Sequence, residues 1–174
     1  MGKGKDSQLK SMLNSKQAEE TIEGLYELRS LKNKIEANLL KKDLLGLLGS
    51  PNPEIRELAA SVLGVTYCMP DAYETLKSML VGREKNQDVL MAVCEALTSL
   101  LQSGVGNSSE ISSRLAFIVL DSSFNSGLRG VAHLSLRRIN SDIALTDYAR
   151  APTDINDQKV NLEWVRDFTK SNKQ

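Results

Sequence analysis

One spacing recurs three times in this chain, and it limits the folds open to the chain more than any other feature. Ile55, Ala59 and Leu63 superimpose on Val89, Val93 and Leu97, and these on Leu128, Ala132 and Leu136. The offsets between copies are 34 and 39 residues. Within each copy the apolar residues follow the 3.6-residue period of a helix with one buried face. A helix pair of this length cannot bury that face alone, so tandem copies must stack on their neighbours. The spacing predicts a stacked helical scaffold, with function on a surface built across copies.

The segments between copies fit this reading. Gly49-Ser50-Pro51-Asn52-Pro53 ends one helix and opens the next, since Gly suits a C-cap and Pro suits a first turn. Residues 70–82 read as a helix with Tyr73, Leu76, Met79 and Leu80 inward, and 83–88 as a turn. A Gly/Ser loop at 102–109 precedes a helix carrying Ile111, Leu115, Ile118 and Val119. Upstream, Ile22, Leu25, Leu28 and Leu31 recur at three-residue steps. Ile35, Leu39, Leu40, Leu44, Leu47 and Leu48 continue the stripe after a joint at 30–33. Downstream, 141–154 reads as loop with one helical turn. A last amphipathic helix then carries Leu162, Trp164, Val165 and Phe168 behind an Asn/Asp cap. Trp164 either closes the C-terminal edge of the core or anchors a partner, and an amphipathic end helix favours closure.

Residues 1–16 set Lys3, Lys5, Lys10 and Lys16 against Asp6 alone and read as a flexible basic arm, with a short helix around Leu9–Leu13. The expected organisation is this arm, one domain over 17–170, and a disordered tail at 171–174. Lys+Arg and Asp+Glu both number 22, so no global field recruits nucleic acid or an anionic membrane. No apolar run reaches transmembrane length and no secretory signal is visible, so a cytoplasmic location is expected. Two cysteines and one histidine support neither a zinc site nor a disulfide framework. Nucleotide-binding and zinc-protease motifs are absent, and no cofactor is expected.

The first copy also carries a family resemblance. Pro53, Glu54, Ile55, Arg56, Ala59, Ala60, Leu63 and Gly64 resemble the HEAT-type repeat in its short, phycobilisome-lyase-like form. The second copy keeps Asp88, Val89, Ala96 and Leu97, and the third keeps Leu128, Arg129, Ala132 and Leu136. Over residues 33–140 the resemblance implies an all-α fold, an α-α superhelix of about three hairpins with capping helices at both ends. The second helix of each hairpin would line the concave side. In that family the Arg at the positions of Arg56 and Arg129 bridges adjacent hairpins to carboxylates or carbonyls; anion binding on the concave face is the alternative.

Opposite the apolar stripe, helical geometry places Glu57, Ser61 and Gly64 on the first copy. It places Met91, Glu95 and Thr98 on the second, and Gly130, Leu134 and Arg137 on the third. Exposed Met91 and Leu134 beside charges match an apolar centre with a polar rim, as protein-binding surfaces have. A nucleic-acid groove would be mainly basic with stacking aromatics, which this stripe is not. The expected function is a non-enzymatic adaptor or assembly factor that binds a protein partner through Glu57, Met91, Glu95, Thr98, Leu134 and Arg137. Two other classes follow from the resemblance: a chromophore-lyase-like subunit holding a tetrapyrrole with its acceptor, and a HEAT-like nucleic-acid binder. Self-association through an end of the stack is also compatible with the pattern. Cys94 and His133 occupy equivalent positions in successive copies, and the Ala60 at that place in the first copy favours packing over catalysis.

Overall fold

Asn52, Asn86 and Asn125 each stand three residues before the first apolar position of a copy, so their offsets are those of the repeat itself. Each starts a helix. Its side-chain oxygen accepts from backbone N–H groups of the first turn, at 2.9 Å for Asn52, 3.0 and 3.1 Å for Asn86, and 2.7 Å for Asn125. This capping asparagine is part of the repeat and was not recognised in the sequence pattern.

The computed structural model describes residues 3–31 and 38–170. The chain runs through α1 (Lys3–Leu13), α2 (Ala18–Leu31) and α3 (Lys41–Leu47). Next comes α4 (Pro53–Ala60), which continues in π-type winding over Ser61–Thr66. A 3-10 turn at Pro70–Ala72 opens α5 (Tyr73–Ser78), which ends in a second π-type stretch, Met79–Arg83. Then follow α6 (Gln87–Gln102), α7 (Ser108–Leu120), α8 (Ser126–Ile139) and the single turn α9 (Leu145–Tyr148). A 3-10 turn at Ile155–Asp157 precedes the last helix, α10 (Leu162–Lys170). The fold is all-helical, with no strand among the described residues. Within them, no helix is long and apolar enough to cross a membrane.

The three capped helices pack side by side. α4 packs on α6 and α6 on α8, with α2 extending the row beyond α4. Helices α3, α5 and α7 pack behind α4, α6 and α8 respectively, and α10 packs on α7. Ile55, Ala59 and Leu63, with their counterparts in α6 and α8, are all buried, as the spacing requires. Where α4 meets α6 there is no room for a side chain: a Cβ on Gly64 would run into the Cβ of Ala96 and lie 2.5 Å from its Cα. Gly64 therefore belongs to the helix contact, not to the solvent-facing stripe where the spacing put it.

Arginines tie consecutive elements together. The Arg56 guanidinium bonds Glu84 at 2.6 and 2.9 Å and the carbonyls of Ser50 and Pro51 at 2.9 and 3.1 Å. Arg129 donates to the Val119 carbonyl at 3.0 Å, and Arg114 to the Leu80 carbonyl at 3.0 Å. Arg56 and Arg129 thus do structural work at the joints.

The N-terminal segment corrects an expectation. Within the stretch read as a flexible arm, Leu9 and Leu13 are buried in the core, because α1 lies along α2 with its apolar residues inward. The remaining arm residues 1–2, Ile35, the joint at 32–33 and the tail at 171–174 lie outside the described residues.

Candidate functional site: a groove along α6

The face shared by α2, α4, α6 and α8 carries two recesses that meet at Glu95. The first is an apolar groove of about 350 Å³. Val65 from the end of α4, with Leu145 and Tyr148 from α9, supplies apolar walls. Thr98, Gln102 and Arg138 add polar groups from α6 and α8. Val65 is 44% exposed and Leu145 61%, so two aliphatic side chains stand open to solvent within one cavity. Burial pushes the Tyr148 phenol up to about 12, which keeps its hydroxyl protonated at neutral pH.

The second recess, of about 260 Å³, is lined by Arg29, Glu57, Asp88, Met91, Glu95 and Thr153, among others. Three carboxylates face one guanidinium there. Glu57, Asp88 and Glu95 close no ion pair among the described residues. Desolvation raises the Glu57 carboxyl above its ordinary value, with the charges of Asp88 and Glu54 adding to it and Arg29 opposing. Desolvation also raises Glu95, which Arg29 counters and Glu57 reinforces. Solvent reaches the Glu95 side chain although protein surrounds it, which is the situation of a group on the floor of a groove.

The residues predicted for a binding surface divide here. Glu57, Met91, Glu95 and Thr98 do line the two recesses, although Thr98 is nearly buried, its hydroxyl donating to the Cys94 carbonyl at 2.8 Å. Leu134 does not: it is 4% exposed and cannot meet a partner. Met91 is half-buried and packs partly into the core.

A strap lies on this side of α8, at Gly130. Residues 151–158 cross α8 on the side that the repeat pattern assigns to solvent. Gln158 donates to the carbonyls of Gly130 at 3.1 Å and Pro152 at 2.8 Å. A Cβ on Gly130 would strike the Thr153 carbonyl oxygen and lie 2.7 Å from the Ile155 nitrogen. Gly130 is thus a seat for the strap backbone, not a solvent-facing position.

Arg137 also departs from the predicted surface. It bonds Asp142 at 2.6 Å and lines a separate recess with His133, Lys159, Asn161 and Trp164. Conversely, Arg29, Val65, Leu145 and Tyr148 were missed. Val65 lies within a π-type stretch that no apolar period registers, while Leu145 and Tyr148 belong to a one-turn helix set in loop.

Cys94 and His133 take packing roles. Burial pushes the Cys94 thiol up to about 12, so it carries no thiolate at neutral pH. Both amide hydrogens of Gln158 are spent on carbonyls, so its oxygen must accept from His133 Nδ1, 2.5 Å away. That contact places the proton of neutral His133 on Nδ1, and burial lowers the ring's pKa despite it. The imidazole also meets Trp164 edge-on, with centroids 6.5 Å apart. Trp164 meets Phe168 at 5.0 Å beside fully buried Val165, so it closes the C-terminal edge of the core. Among the described residues, no group of three or more His, Cys, Asp or Glu is arranged to hold a metal ion.

No family model, curated protein or solved structure matches this chain. The groove has to be interpreted through its own chemistry.

Proposed function

We propose that this chain is a HEAT-like α-solenoid that serves as a protein-binding adaptor, taking a partner segment into the groove along α6. The side-by-side order of α2, α4, α6 and α8 and the tandem asparagine caps support the solenoid reading. One observation carries the binding role. Exposed Val65 and Leu145 line an apolar cavity with Tyr148, and charged groups adjoin it. Apolar surface left open among polar groups on a folded chain is what a partner's side chain covers on binding.

The test is site-specific photocrosslinking in the native host. A benzophenone amino acid at Leu145 is compared with one at Phe117, an exposed residue of α7 in the other layer. The reading predicts a discrete protein adduct from position 145 that survives nuclease and is missing from position 117. Nuclease-sensitive adducts would move the chain to the nucleic-acid class. Equal labelling at both positions would remove the groove from consideration.

A further inference from the structure

The groove also carries information about its occupant. Its apolar part and its acidic part lie along the same helix and share Glu95. Met91 and Ala92 mark the acidic recess on α6, and Thr98 and Ser99 mark the apolar one. Seven residues of helix separate them, or about 10 Å. Within the acidic recess Arg29 offsets one of the three carboxylates, leaving an excess of negative charge that no described side chain pairs.

We infer that the groove takes a protein segment presenting an Arg or Lys side chain about 10 Å from an aliphatic or aromatic one. The cation enters among Glu57, Asp88 and Glu95, and the apolar side chain lies against Val65, Leu145 and Tyr148. This inference rests on the protein-binding reading above and adds the partner's chemistry.

The physical case is complementarity. A carboxylate crowded by protein and by like charges gains most from a cation that replaces its lost hydration. The desolvation and mutual repulsion that raise Glu57 and Glu95 are the strain such a cation relieves. An acidic or phosphorylated segment would meet three carboxylates and is repelled. The apolar half then supplies the part of the affinity that salt does not screen. In a helical partner 10 Å corresponds to positions i and i+7, and in a polyproline II segment, with three residues per turn, to i and i+3.

The experiment is a random dodecapeptide display selection on the whole chain, with binders to Leu145→Asp subtracted. Groove-dependent peptides are expected to pair Arg or Lys with Leu, Ile, Met, Phe or Trp at one of those two spacings. For a lead peptide followed by fluorescence anisotropy, Glu95→Gln should weaken binding about tenfold, and exchanging the peptide's Arg for Gln by a similar factor. The two changes together should be far from additive, while Asp121→Asn on the opposite layer leaves affinity unchanged. Glu95→Gln is nearly isosteric at a solvent-reached position, and a circular-dichroism melt confirms its fold. Groove-dependent peptides that lack a cation, or that bind Glu95→Gln undiminished, overturn the inference and leave protein binding in the groove standing. Self-association that Leu145→Asp abolishes makes a second copy the occupant and also overturns it. If no groove-dependent peptide emerges, both readings fall.

Discussion

At the scale of single residues, the strongest constraint in this chain is the pairing of Arg56 with Glu84. Their side chains are 16% and 5% exposed, so both charges are held largely away from water. Burial alone would raise the Glu84 carboxyl. Hydrogen bonds from Arg56 and from the Asn86 and Lys85 backbone outweigh that, and hold it below its ordinary value. Glu84→Gln removes one charge and leaves the guanidinium unpaired, which should destabilise the fold by about 3 kcal/mol at pH 7. A carboxylate depressed in the folded state contributes stability above its unfolded value of 4.5, and that contribution is lost as pH falls through the folded value. Urea titrations at pH 7 and at about pH 3 should therefore show the gap between wild type and Glu84→Gln narrowing in acid. A gap independent of pH would mean that the charge of Glu84 is not what matters.

Two glycines show the same scale from another side. Gly64→Ala forces a methyl group into the Ala96 backbone and should cost about 2–3 kcal/mol by parting α4 from α6. Gly46→Ala, inside α3 where an added Cβ meets nothing within 4 Å, should be neutral or stabilise by about 0.5–1 kcal/mol. Chemical-denaturation midpoints would measure both changes, and equal effects would show that the α4–α6 contact has room for a methyl group.

At the scale of elements, the helices were legible and the strap was not. Burying one face of α4, α6 and α8 demands an apolar period, and that period is written in Ile55, Val89 and Leu128 and the residues after them. The path of residues 151–158 obeys no period. It follows from the Gln158 side chain, which bonds the Gly130 carbonyl of α8 and the Pro152 carbonyl of the strap itself, and from the close approach of the Thr153 and Ile155 backbone that Gly130 permits. The legible sign was a glycine in mid-helix, which weakens a helix unless something needs to approach it closely. The π-type end of α4 had the same effect on the site, because it turns Gly64 inward and Val65 out, against the expected phase. Half of the candidate site was therefore readable, the half that lies on α4 and α6 themselves. Gln158→Ala tests the strap: amide hydrogen exchange should accelerate over 151–158 and α8 by at least tenfold, with α4 unchanged. Uniform acceleration along the chain would instead make Gln158 a determinant of global stability.

At the scale of the whole molecule, balanced net charge conceals a local imbalance that the fold itself creates. Stacking α4 on α6 brings Glu57 to the recess that Asp88 and Glu95 line from two turns of α6. The arrangement works against folding. A carboxyl whose folded-state value is raised contributes stability only while protonated, and that contribution is lost as pH rises through the folded value. At neutral pH the charged groove is thus a strained feature, of the kind retained where a partner later relieves it. The double variant Glu57→Gln, Glu95→Gln should accordingly melt higher than wild type at pH 7, by about 2 °C, a small shift because solvent partly screens Glu95. The gain should vanish by about pH 3, below the unfolded value, where the wild-type carboxyls are protonated in both states. The same variant should bind cationic segments less well, so stability and binding move in opposite directions. A variant that melts lower at pH 7 would mean that the two carboxylates hold the groove together, and the case for a cation-seeking face would lose its physical basis.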